Sequence, residues 1–170
     1  MTLTARYDWP AAAASIREAE RGAIAVVMFG ANDRPPVRLH GHVEDRLLAS
    51  FCLSYGAHVR TVVEGLRRSC RDVVWVGHPI VRDTVYAEDM ELVNRLFAEQ
   101  STAAGADWFP SWSLFTDADG NYAPYGRGTD GQTTRLRADD GVHCTGPSYD
   151  VLARALLPVL AMHRLSAANV

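Results

Sequence analysis

"AIAVVMFG", residues 23–30, is apolar at seven successive positions and stops at a glycine. An alternating pattern would put one face of a strand in water, whereas an uninterrupted one marks a parallel strand buried on both faces. A second run of this kind, "VVWV" at 73–76, stops at Gly77. Helical patterns surround the two. Asp8 caps a first helix, with Pro10 in its opening turn and Gly22 just past its end. A long helix spans 47–68, with Gly56 and Gly65 as weak points, and another spans 87–103. A short third strand fits 107–109, and "TDADGNY" at 116–122 reads as a hairpin turn. The last helix starts near Thr145 with Pro147 in its first turn, and Leu152, Ala155, Leu156 and Val159 share one face. Strands alternating with helices specify an α/β domain with a mostly parallel sheet, and no linker or repeat divides residues 1–170.

The chain has 170 residues, 48% hydrophobic and 22% charged, enough for one domain with a real core. A formal charge of -3 argues against a phosphate-backbone partner, so no nucleic acid is expected. "MTLTARYDWPAAAASIREAERG" has no apolar stretch behind a basic start, and "AIAVVMF" is far too short to cross a bilayer. As given, the chain reads as soluble and cytoplasmic. Cys52, Cys70 and Cys144 are an odd number without ligand spacing, which points to reduced thiols. "HGH", at His40 to His42, lacks a third ligand and reads as a mobile loop, so no metal site is expected.

In a parallel sheet the loops after the strands gather at one edge, where ligands bind. Residues 30–34, 77–83 and 140–143 are therefore expected to converge. In "DGVH" (140–143) an aspartate stands three positions before a histidine in a turn tightened by Gly141. A catalytic histidine needs one ring nitrogen held by an acceptor so that the other can take a proton, and Asp140 is placed to hold His143 in this way. The same fragment also reads as an aspartate capping a helix start with a histidine packed beside it. In "FGANDR" (29–34), Gly30 permits close approach and the Asn32 amide is a neutral donor suited to an oxyanion, yet the sequence is equally a plain turn. His78 is a candidate for lining the pocket or for a satisfied structural histidine. Arg135 and Arg137 are placed near the pocket rim, where they hold an anionic substrate or stay solvated and pair with Asp139.

Taken in order, "GAND" after one strand, "WVGHP" after the next and "DGVH" before the final helix resemble the later blocks of the SGNH hydrolase (GDSL esterase/lipase) superfamily. "YDWP", "WVGHPIVRD" and "GTDGQTTRLRADDGVHCT" look closer still to a bacterial subfamily of it. The resemblance implies a three-layer α/β/α flavodoxin-like fold that hydrolyses an acyl or acetyl ester of a small molecule, glycan or lipid, without metal or cofactor. It implies His143 as base, Asp140 as its orienting acid, and Gly30 and Asn32 as the oxyanion block.

One departure is large. The superfamily carries its nucleophile in a Gly-Asp-Ser block on an earlier strand, and no Gly-Asp-Ser occurs in this sequence. Its nine serines, Ser111, Ser113 and Ser148 among them, are expected in helices or in loops far from any strand-to-helix elbow. Cys144 beside His143 is not expected to replace them. The resemblance thus implies a sheet lacking its first two strands, with the serine belonging before residue 1. The strand at 23–29 would then expose a flat apolar edge, so self-association or a covering partner is expected. A degenerate binding or regulatory module is the alternative to an ester hydrolase.

Overall fold

The computed structural model describes residues 8–16, 22–33, 38–39, 42–43 and 45–167. The central sheet has three parallel strands in the order β1 (Ile24–Val27), β4 (Asp72–Val76), β5 (Asp107–Phe109). Two-residue strands β2 (Arg38–Leu39) and β3 (His42–Val43) form a separate antiparallel pair. Helices α1 (Trp9–Ala14), α2 (Asp45–Ser69) and α3 (Thr84–Ala103) share one face of the sheet, and α4 (Gly146–Ala167) covers the other. The result is a three-layer α/β/α arrangement.

Strand β4 explains the layering. Its side chains alternate, so Val73 and Trp75 enter a core with Val27, Val59, Val63, Val93 and Phe97. Val74 and Val76 enter a second core with Phe115, Leu136, Leu152 and Leu156 from the far side. No residue of Val73–Val76 is more than 2% exposed, which is the both-face burial its unbroken apolar run predicts.

Strand β1 departs from that expectation. It is only four residues long, and although Val27 is buried, Val26 and Met28 are 46% and 37% exposed. Ala25 and Val27 pack on the three-helix side, but α4 lies over β4 and leaves Val26 uncovered. Among the described residues, nothing pairs with the outer edge of β1.

Caps set the other boundaries. Asp8 accepts from the Ala11 amide at 3.0 Å, and Pro10 occupies the first turn of α1, which stops at Ala14 rather than near Gly22. Asp83 caps α3 through the Tyr86 amide at 2.7 Å, starting that helix three residues before 87. Gly56 and Gly65 lie inside an unbroken α2, Gly56 under Gln100 and Gly65 against Ala13, where helix packing needs small residues. Pro158 lies inside α4. A further hairpin pairs β6 (Tyr125–Arg127) with β7 (Thr133–Arg135), in a Gly- and Asp-rich stretch without apolar alternation. "TDADGNY" does turn, with Thr116 bridging Tyr122 and the Asp117 amide donating to Asn121. At the opposite end of the sheet, His163 of α4 spans Asp72 (3.4 Å) and Asp107 (2.8 Å), which fixes α4 across β4 and β5.

Candidate active site

Strand β7 leads directly into the "RADDGVHC" turn. Arg137 and Cys144 face each other as an antiparallel bridge, and the Ala138 amide donates to the His143 carbonyl at 2.9 Å. Gly141 closes the loop with φ +73°, and a Cβ there would stand 2.5 Å from the Arg82 Cβ. Both the backbone angle and the space therefore require glycine.

Within this loop Asp140 is fully committed to His143. Its Oδ1 accepts from the Val142 and His143 amides at 2.8 and 2.9 Å. Its Oδ2 meets His143 Nδ1 at 2.6 Å. The ring hydrogen bond first, then the two amides, hold the carboxyl far below the usual carboxylate range. An ionised carboxylate only accepts, so Nδ1 carries the proton and Nε2 is left as the acceptor. The His143 side chain is 78% exposed. The capping alternative does not hold, because α4 begins at Gly146, well past Asp140.

The segment after β1 forms the second element. Gly30 has φ +101°, and a Cβ there would come within 2.6 Å of the Tyr55 hydroxyl and 2.9 Å of the Phe97 ring. The Asp33 amide donates to the Gly30 carbonyl at 2.9 Å, closing a turn that leaves Asn32 exposed. Asn32 lines a cavity of about 590 Å³ with Trp9, Phe29, Asp33 and His58. The ring of Trp9 stacks on Phe29 at 4.4 Å, while Asp33 accepts the Tyr55 hydroxyl at 2.8 Å.

Residues 77–86 join these two elements. His78 Nε2 donates to the Phe29 carbonyl at 2.9 Å, and Tyr86 donates its hydroxyl to the Ala31 carbonyl at 2.6 Å. On the other side, the Arg82 amide donates to the Gly141 carbonyl at 3.0 Å and its guanidinium to the Asp139 carbonyl at 2.8 Å. Ala31 and Val142, the neighbours of Asn32 and His143, line one small cavity together. The three loops thus meet at the carboxyl edge of the sheet; Arg34 lies outside the described residues.

Several residues stand elsewhere than the sequence suggested. Arg137 is not at a rim but 0% exposed, donating to the Ile80 and Val142 carbonyls at 2.9 and 2.7 Å and to Cys144 Sγ at 2.9 Å. Its stem is drawn inward because the preceding residue, Leu136, packs into the α4 core and the bridge to Cys144 turns Arg137 under the loop. Arg135, by contrast, is exposed and paired with Asp139. His78 is buried, its backbone clamped on both sides by the Asn94 amide group; desolvation pushes its imidazole below the ordinary value and keeps it neutral.

Ser111 does follow a strand and open a short helix (Trp112–Phe115), contrary to its expected distance from any such elbow. It is nonetheless 0% exposed, with its hydroxyl donated to the Gly77 carbonyl at 2.5 Å. Ser148 is buried and donates to the Leu136 carbonyl, and Ser113 is exposed in the short helix. No described hydrogen bond reaches His143 Nε2. Among the described residues no group of three metal-ligating side chains occurs and no helix is long and apolar enough to cross a membrane. His40 lies outside the described residues, and His42 falls in β3.

No curated protein matches this sequence. Residues 1–159 match the family model described as "Protein of unknown function (DUF459)", and the chain belongs to that family.

Proposed function

We propose that this domain serves ester hydrolysis of the SGNH type, with His143 as general base, Asp140 as its orienting carboxylate, and Gly30 and Asn32 as the oxyanion block. One observation carries the reading: Asp140 holds His143 Nδ1 at 2.6 Å while the ring stays open to solvent on the Nε2 side. A pair built this way fixes the tautomer, directs the basic nitrogen outward and stabilises the imidazolium when it forms. Asn32 supplies a neutral donor on a neighbouring exposed turn, suited to the charge that develops on a carbonyl oxygen.

The nucleophile is the missing part. Ser111 and Ser148 are buried and bonded to carbonyls, no Gly-Asp-Ser occurs in the sequence, and among the described residues no serine is bonded to His143. We therefore expect residues 1–170 alone to resist labelling by a serine-directed fluorophosphonate and to leave p-nitrophenyl acetate intact. Labelling of that chain would overturn the absence of a nucleophile. An in-frame apolar strand followed by Gly-Asp-Ser in the coding sequence upstream is the direct check on where the serine comes from. In a form carrying it, His143→Ala should lower turnover about a thousandfold or more, as loss of a triad member does; a near-native rate would remove His143 from its role.

The unpartnered Nε2 favours one second reading, a domain that binds through the same cleft without turnover. It would bind its ligand equally well as His143→Ala and Asp140→Asn.

A further inference from the structure

Arg127 and Arg154 line one open cavity of about 380 Å³ beside the loop that joins β6 to β7. Arg127 is the last residue of β6 and Arg154 stands in the third turn of α4, so two separate elements bring the charges together. Both side chains are exposed. Neither is paired with a carboxylate among the described residues, whereas Arg71 and Arg135 are paired with Asp72 and Asp139. Asp130, in the loop between, is occupied locally, its Oδ1 accepting from the Gln132 amide at 2.9 Å. Asp150, one turn before Arg154 on α4, does not pair with it either.

The cavity has a defined frame. Arg154 donates from Nη1 to the Thr129 carbonyl at 2.9 Å, which ties α4 to the loop and holds the guanidinium at the cavity. The Gly131 amide donates to the Gly128 carbonyl at 3.0 Å, and a Cβ on Gly131 would meet nothing within 4 Å, so the backbone of the turn is open to a ligand. Val151 and Ala155, both half-buried, supply an apolar wall.

Two like charges sharing one cavity repel each other, and the chain around them is acidic overall, with a net charge of -3. An anion between them removes the repulsion and gives each guanidinium charge-assisted hydrogen bonds. A carboxylate has two oxygens, which a single guanidinium fork already engages, whereas a phosphate monoester has three terminal oxygens and can meet two forks at once. At roughly 10–15 Å³ for each water-sized occupant, the cavity also has room for far more than an inorganic ion.

From this arrangement we infer that the cavity is a binding site for a phosphate monoester, with its phosphoryl oxygens between Arg127 and Arg154 and its carbon end against Val151 and Ala155. The site takes no residue from the candidate catalytic loops. At about 1.5 Å of rise per residue, Arg154 lies roughly 12 Å along α4 from Gly146, so the inference stands independently of the ester-hydrolase reading.

The test is a titration of the isotope-labelled chain at fixed ionic strength, followed by NMR at Gly128, Gly131, Val151 and Ala155, with His143 as the distant reference. Glycerol 3-phosphate is expected to give saturable shifts at the first four and none at His143. Inorganic phosphate should compete for the same positions with lower affinity, and neither acetate nor chloride should saturate them. Arg127→Ala and Arg154→Ala should each weaken glycerol 3-phosphate binding about tenfold or more, the loss of one charge-assisted contact. Both variants should melt near the native temperature, because the sites are exposed. Arg154→Lys should keep part of the affinity, since lysine retains the charge without the fork. Acetate binding as tightly as glycerol 3-phosphate, native affinity in both alanine variants, or shifts centred on His143 would overturn the inference.

Discussion

The two strands with unbroken apolar runs, β4 and β1, end in very different surroundings. The four residues of Val73–Val76 have helices on both faces and strands on both sides, whereas β1 has one paired edge and an open face at Val26 and Met28. The loops they carry differ in the same sense. The Asp140–His143 turn is tied to the well-packed half of the domain by the Arg82 amide, which donates to Gly141, and by the Arg137 guanidinium, which donates to the Ile80 and Val142 carbonyls. Asn32 stands exposed at the end of the strand that is half uncovered. The Asp140–His143 pair is held by the fully packed half of the sheet, whereas Asn32 follows the strand whose outer edge is unpaired among the described residues.

The largest expected effect breaks the packed side. Trp75→Ala, deep between α2 and α3, should cost about 3–5 kcal/mol in denaturant unfolding; a cost below about 1 kcal/mol would show that β4 is no more essential than β1. Next is the turn itself. Gly141→Ala forces a side chain into a left-handed angle and against Arg82, and about 1–3 kcal/mol of destabilisation is expected, with loss of the His143 Nδ1–H signal. Retention of that signal would separate the turn's geometry from its glycine.

Asp140→Asn tests the pair with little effect on global stability. Its carboxyl is lowered in the folded state, so the contribution of the pair is present above the ordinary carboxylate range and is lost as pH falls through the lowered value. The Nδ1–H signal of the native chain should accordingly survive acidification well below pH 4, and in Asp140→Asn it should be weakened at every pH. Persistence in the variant would mean that the backbone, not the carboxylate, orients the ring. The smallest stability change is expected at Val26→Lys, within about 0.5 kcal/mol because the site is 46% exposed. If the open face drives self-association, this charge should lower the apparent mass by light scattering; a native chain already monomeric would show that β1 needs no cover.

The sequence made the parallel core legible because apolar runs ending at Gly30 and Gly77 carry both the burial and the turn. It made the Asp140–His143 pair legible because three-residue spacing around a glycine is a local geometry. What it concealed was non-local. An apolar run such as 23–29 says that a strand is suited to burial, not that neighbours are present to bury it. "YGR" and "TTR" pair as β6 and β7 with no apolar periodicity to announce them. Arg137 reads as a surface residue by its charge, and only the carbonyls of Ile80 and Val142, 57 and five positions away, explain its burial. The elbow at Ser111 is hidden although the strand at 107–109 is legible, because the helix that follows it, Trp112–Phe115, is a single turn with no helical period.

The openness of His143 has a kinetic side. With 78% of its side chain in water, the imidazole is reached by bulk solvent directly, without a relay of internal groups. In the proposed ester hydrolysis the same access lets water reach an acyl carbon presented near Nε2, and only the bound substrate can keep it out until the leaving group has gone.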